Sequence, residues 1–234
     1  MASAAEDWGQ ADDLSVIARL VPTAGARIVD VGCGKGALAR ALARRGASVL
    51  ALEPEPRQAE YNQANPEPGV TFVQGMAQAI PMARGAANAV LFGSSLHHVP
   101  IEAMDAGLAE AARVLRSPGG VLIVLEPEID SDFARLMRPF HDETTVRTAA
   151  QAALARSAAP RFRTRRTLRY AETYRYADFE AFVAETTGAT YNAHRRADVA
   201  TPEVRSLFEQ GRDATGYGFD HRMRADVFAD PIEP

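Results

Sequence analysis

One cysteine, one lysine and one tryptophan are all that the 234 residues hold of these three types. A lone cysteine, Cys33, excludes an intrachain disulfide and fits a reducing compartment. Lys35 is the single lysine, so arginine carries nearly all the basic charge, and with the abundant alanine this points to a GC-rich bacterial genome. Net charge is −4, which speaks against the basic surface that nucleic acid or an anionic membrane would select. No apolar run reaches the ~20 residues of a membrane span. The N-terminus carries Glu6, Asp7, Asp12 and Asp13 where a signal peptide would be basic and then apolar, so a cytoplasmic protein is expected. Aromatic content is only 7%, yet 47% of residues are apolar, enough for one large α/β domain. No repeat or low-complexity linker divides the chain.

What is present is organised around residues 27–36, Arg-Ile-Val-Asp-Val-Gly-Cys-Gly-Lys-Gly. Ile28, Val29 and Val31 have the composition of a strand buried on both faces. Three alternate glycines follow, and residues 37–45 read as a helix. A strand entering a helix through glycines brings backbone N–H groups and a positive helix end to one point, suited to a carboxylate or other anion. A second apolar run, 47–52, ends in Glu53, where nucleotide-binding α/β folds place the acid that accepts hydrogen bonds from ribose hydroxyls. Gly32, Gly34 and Ala37 also fit G-x-G-x-x-A, so the turn alone leaves a nicotinamide dinucleotide open.

The spacing predicts a helix over 12–21, strands over 27–31, 47–52, 70–74, 88–93 and 120–126, and helices over 36–45, 55–64 and 101–116. Such alternation implies a parallel sheet with right-handed crossovers and ligands beyond the carboxyl ends of the strands. Beyond Glu126 the pattern predicts one or two helices within 129–156, a strand over 161–170, helices over 177–187 and 202–213, and a strand over 216–228.

Residues 27–126 resemble a class I S-adenosylmethionine-dependent methyltransferase of the small-molecule, methyltransferase-11-like type. The resemblance rests on VDVGCGKG (29–36), Glu53, GMAQAIP (75–81), NAVLFGSSLHHV (88–99) and RVLRSPGG (113–120), in that order. It implies a Rossmann-like, seven-stranded, mostly parallel sheet with an antiparallel last strand, helices on both faces and a helical insertion after the fifth strand. The whole chain would then form a single domain, with core 12–126 and helical cap plus closing strands 127–234. The implied cofactor is S-adenosyl-L-methionine and the implied partner a small-molecule methyl acceptor, with no nucleic acid and no membrane.

By the same resemblance Gly32 and Gly34 border the methionine part of the donor, with Asp30 near its amino group. Glu53, beside Pro54, would hold the ribose; Met76 and Ala77 would meet the adenine; Gly93 and Ser94 would lie under the sulfonium end. Trp8 and Gln10 are candidate lid residues. Many members carry an acid where Met76 stands, and Gln78 and Asn88 also replace positions that are often acidic. A thioether accepts a hydrogen bond only weakly, which keeps a non-catalytic binding protein in view as the alternative to an enzyme, with the nicotinamide-dependent oxidoreductase third.

Methyl transfer from a sulfonium needs alignment more than acid–base help. Where an acceptor hydroxyl must lose a proton, an imidazole is the usual helper. His97, His98 and His141 are the candidate catalytic residues. Cys33 has a structural reading as a small residue in the turn. No residue is assigned to a metal. Arg161, Arg163, Arg165, Arg166 and Arg169 form a basic stretch expected to be a solvated face paired with acids, with recognition of an anionic substrate as the sharper option.

Overall fold

Continuous burial along the inner strands, with successive side chains turned to opposite faces, decides the architecture. Ile28, Leu91, Ile123 and Leu125 point into one apolar cluster, and their neighbours Val29, Val31, Val90, Phe92, Leu122 and Val124 into another on the opposite face. A sheet built from such strands needs cover on both sides, and helices supply it. The computed structural model describes residues 5–188 and 194–232. Its first half contains β1 (Glu6–Gln10), α1 (Asp13–Leu20), β2 (Arg27–Val31), α2 (Ala37–Arg44), β3 (Ser48–Glu53), α3 (Pro56–Ala64), β4 (Val70–Gln74), β5 (Ala89–Gly93), α4 (Met104–Val114) and β6 (Val121–Pro127). There follow α5 (Asp132–Met137), α6 (Thr144–Ala153), β7 (Phe162–Tyr176), α7 (Phe179–Gly188), α8 (Arg196–Val199), α9 (Pro202–Glu209), β8 (Arg212–Asp213) and β9 (Gly216–Pro231).

The described strands form one nine-stranded sheet in the order β1-β7-β9-β6-β5-β2-β3-β4, with β8 paired to β9. Strands β2 to β6 are parallel, and β9 runs antiparallel to both β6 and β7. The seven expected strands are all present. Two were not foreseen: β8, only two residues long, and β1, an edge strand parallel to β7. Strand β1 is Glu-Asp-Trp-Gly-Gln and almost wholly exposed, so it carries no alternation from which to infer it. Trp8 lies there beneath the Arg19 guanidinium, 3.8 Å from the ring centroid. Trp8 and Gln10 therefore brace the sheet edge, and neither lines the cavity that a lid would close.

Strands β7 and β9 are longer than expected, paired from Phe162↔Pro231 out to Tyr176↔Tyr217. Their far ends join α5, α7, α8 and α9 around a separate apolar cluster centred on Phe179, Phe182, Phe208 and Phe219. This cluster and α6 form the cap beside the carboxyl ends of the strands. Helix α5 leaves β6 through a capped turn, in which the Ser131 hydroxyl accepts from Ala134 N at 3.1 Å. Ser131 is only 1% exposed, so water cannot replace that bond. Ser131→Ala is expected to cost about 1 kcal/mol of stability, checked by urea unfolding. No helix among the described residues is long and apolar enough to cross a membrane.

Three of the five arginines in the basic stretch are ion-paired. Arg165 meets Asp226 at 3.2 Å, Arg166 meets Glu6 at 3.0 Å and Arg169 meets Glu128 at 2.6 Å, which accounts for these three as a face neutralised by acids.

Candidate active site

The turn after β2 is held from below. Gly32 N and Cys33 N both donate to Leu52 O on the neighbouring strand, at 2.8 and 2.9 Å. Gly32 has φ +73, and a Cβ there would lie 2.7 Å from Ser95 Cβ. Gly36, at φ +74, abuts the Phe72 ring in the same manner, with 2.5 Å to the nearest ring carbon. Only glycine meets both the backbone and the space requirement at these two points. The Glu53 carboxylate closes the turn from the tip of β3. One oxygen accepts from Gly34 N at 2.7 Å and the other from Glu55 N at 2.9 Å, so its orientation is set by backbone, and each oxygen retains accepting capacity.

Asp30 lies beneath this turn rather than in its opening. It is 1% exposed, does not line the cavity, and its Oδ2 has no hydrogen-bond partner. Burial foremost, then the Glu53 charge, raise its carboxyl from 3.8 to about 7. Burial and these two carboxylates also push the Cys33 thiol up, which keeps it protonated and removes it as a nucleophile. Asn88 is far from this chemistry: its side-chain oxygen accepts from Arg27 N at 2.8 Å, at the start of β2.

A cavity of about 1070 Å³ begins at the turn and runs under the cap. Gly32, Gly34, Glu53, Pro54, Met76, Ala77, Gly93 and Ser94 all line it, as the sequence motifs anticipate. Met76 is 58% exposed, with the Gln78 amide 3.5 Å from its sulfur. Ser94 is one of two described non-glycine residues at positive φ, a conformation that concentrates at functional sites.

All five histidines of the chain line the other end of the same cavity: His97, His98, His141, His194 and His221. His97 follows β5 in a short turn and is buried between two carboxylates. Its Nδ1 contacts Glu126 on β6, and its Nε2 lies 3.6 Å from Glu143 Oε1. Burial alone would lower its pKa, but these carboxylates raise it to about 9, so His97 is an imidazolium near neutral pH. Glu143 precedes α6 and also meets His141 Nε2 at 3.1 Å and Arg147, one turn along, at 2.6 Å. Burial opposes its charge, but the paired imidazoles and Arg147 hold its carboxyl far below the usual range.

The His98 ring lies against that of His97, tilted by 44° with centroids 4.1 Å apart, and is exposed to the cavity. Burial of its ring nitrogens and the His97 charge lower its pKa, leaving it neutral. His97 is thus a poor proton acceptor, contrary to expectation, because both its nitrogens face carboxylates. His98 keeps that capacity.

The sequence did not single out Glu126, Glu143, His194, His221 or Tyr174. His221 on β9 stacks against Tyr174 on β7 at 5.0 Å, with Phe133 edge-on to both. Burial and the Arg147 charge depress its pKa to about 4. His221 Nδ1, His194 Nε2 and Arg147 Nε are buried without a hydrogen-bond partner. One available signal was the scarcity of histidine, since every copy converges here.

Residues 28–120 match the family model of a methyltransferase domain. A ubiquinone biosynthesis O-methyltransferase of Xylella fastidiosa is 34% identical over 115 residues, covering 47% of this chain and 46% of that protein. An uncharacterized methyltransferase of Mycobacterium tuberculosis is 38% identical over 104 residues, covering 44% of this chain and 40% of that protein. The chain thus spans less than half the length of these curated relatives. Among solved structures, the YcgJ protein of Bacillus subtilis superposes with TM-score 0.63 at 14% identity, over 94% of this chain and 98% of that one. A SAM-dependent methyltransferase of Thermotoga maritima gives 0.52 at 15% identity, over 93% and 87%. These structural matches bear on the fold. The sequence matches favour the methyltransferase reading of the glycine turn over the nicotinamide one. With this motif order and domain match, residues 28–120 are identified as a methyltransferase domain, carried on a Rossmann-like sheet.

Proposed function

We propose that the protein transfers a methyl group from S-adenosylmethionine to an oxygen of a small acceptor with an aromatic or apolar body. The main support is one continuous cavity that has a glycine turn and a carboxylate suited to a nucleoside at one end, and neutral imidazoles at the other. The residues fit the donor on two observations. A buried carboxylate oxygen without a partner lies beneath the turn, where a cationic ligand group would favour its charge, and Glu53 presents a carboxylate already oriented by two backbone N–H groups.

The donor, when bound, brings a methyl group already activated on a sulfonium. Gly32 and Gly34 would border its amino-acid part above Asp30, Glu53 would accept from the ribose hydroxyls, and Met76, Ala77 and Gln78 would pack on the base. Gly93 and Ser94 would face the sulfonium end. Phe133, Tyr174 and Met137 form an apolar wall for the acceptor. Arg147 Nε, His194 Nε2 and His221 Nδ1 supply unpaired polar atoms along it. His98 takes the proton from the acceptor hydroxyl, while His97 is held as a fixed cation behind it. Alignment under the cap supplies most of the rate, and proton removal a further 10²–10⁴-fold.

Incubation with labelled S-adenosylmethionine and a fractionated bacterial metabolite extract should yield a labelled small molecule. Binding of S-adenosylhomocysteine without any labelled product would leave a binding protein that has no turnover. Asp30 makes the binding step pH-dependent. A cation above the turn favours its ionised form, so binding expels a proton whenever the pH lies below about 7. Product affinity should therefore fall about tenfold per pH unit below that point and level off above it. Calorimetry in two buffers of different ionisation enthalpy checks both affinity and proton release; a flat profile from pH 5 to 8 would separate Asp30 from the ligand's charge.

A further inference from the structure

We propose that His97, His98 and Glu143 bind a divalent transition-metal cation, of the class that includes zinc and cobalt, at the acceptor end of the cavity. One nitrogen of each histidine and one Glu143 oxygen lie within 4.8 Å of one another. Two donor atoms on a tetrahedral zinc, each at ~2.0–2.1 Å, stand about 3.3–3.5 Å apart. The pair His97 Nε2 and Glu143 Oε1 is 3.6 Å apart, close to that spacing. His141 Nε2, 3.1 Å from the same Glu143 oxygen, adjoins the group. Imidazole donors with a single carboxylate suit zinc or cobalt rather than magnesium or calcium, which take oxygen ligands.

The surroundings are those of an oriented ligand set. Glu126 holds His97 Nδ1, so that Nε2 is the nitrogen presented to the group. Arg147 takes the other oxygen of Glu143, so that Oε1 faces the imidazoles. A carboxylate behind a ligating histidine, and a hydrogen bond on a ligating carboxylate, are the supports that metal centres use to fix their ligands. The charges also balance. Glu126 and Glu143 contribute two negative charges and Arg147 one positive. A divalent ion leaves a single positive charge for an anionic oxygen in the fourth position.

The role of the ion rests on the methyl-transfer reading: it would bind the acceptor oxygen and promote loss of its proton to bulk water, with His98 then serving as ligand in place of base. Binding of the ion itself does not depend on that reading.

The test uses the full chain after treatment with chelator. Titration with zinc chloride alone, followed by calorimetry, should give one ion per chain. Cobalt chloride should give the absorption bands of a four-coordinate site. His98→Ala, at an exposed position that leaves the fold intact, and Glu143→Gln should each weaken zinc at least tenfold, while His221→Ala, in the same cavity but outside the group, should change it less than twofold. Equal zinc affinity in the wild type, His98→Ala and Glu143→Gln overturns the site, as does no binding at micromolar zinc. S-Adenosylhomocysteine is titrated in the same samples. Product binding without zinc binding removes the metal site and leaves methyl transfer standing; zinc binding without product binding does the reverse.

Discussion

Replacing Glu53 with alanine is expected to weaken S-adenosylhomocysteine binding by two to four orders of magnitude. The side chain accepts from Gly34 N and Glu55 N, and the residue lines the cavity where the ribose would lie. Each hydrogen bond to a charged group contributes about 1.5–3 kcal/mol. Loss of two ribose contacts therefore amounts to about 3–6 kcal/mol, or two to four decades in Kd. The substitution also frees the turn, because Gly34 N loses its acceptor. Glu53→Gln separates the two effects. It keeps one acceptor oxygen but sets an amide NH2 against a backbone N–H, so an intermediate loss is expected. Calorimetry reads the affinities and thermal melting the stability. A change of less than threefold in Glu53→Ala would place the nucleoside elsewhere.

Glu126→Ala should be the most destabilising change near the site. It strips His97, which is 4% exposed, of the carboxylate on Nδ1 and leaves a buried imidazolium with half its support. Breaking a buried ion pair from one side typically costs about 3–5 kcal/mol, because the surviving charge stays out of water. The pair Glu6–Arg166 is an internal control. Both side chains are about half exposed, and Glu6→Ala should cost no more than about 1 kcal/mol. Urea unfolding of both variants measures the difference. A loss below 1 kcal/mol for Glu126→Ala would mean that water reaches His97.

The glycine-turn end of the cavity was legible because its requirements are local. Gly32 and Gly36 must adopt positive φ within a few residues of β2, and Glu53 stands at the tip of the next strand. A short stretch of chain thus records the whole constraint. Strands β2 to β6 were equally plain, since burial on both faces leaves apolar runs with few polar interruptions. Asp30 shows the limit of such inference. Its position in the motif was legible, but whether it opens into the cavity or lies beneath the turn depends on how β2 packs against β3 and β5.

The histidine-lined end was legible only in part. His97, His98 and His141 stood out as residue types, whereas Glu126, Glu143, His194 and His221 come from four distant segments, and no spacing links them. Acids at the end of a strand or before a helix are too common to signal a site. The outer half of β7 was missed for a related reason. Tyr170, Tyr174 and Tyr176 recur on one face, but Glu172 and Arg175 between them conceal a strand that turns half-buried residues toward the cap.

By itself, then, the sequence determined the class of sheet, the glycine turn and the acid that closes it, because nearest neighbours along the chain impose those features. Tertiary structure alone decided that His97 carries its proton between Glu126 and Glu143, that Asp30 is sealed below the turn, and that five scattered histidines share one wall. The physical reason is that charge state and ligand geometry follow from burial and from partners brought in by long crossovers, and neither is encoded at short range.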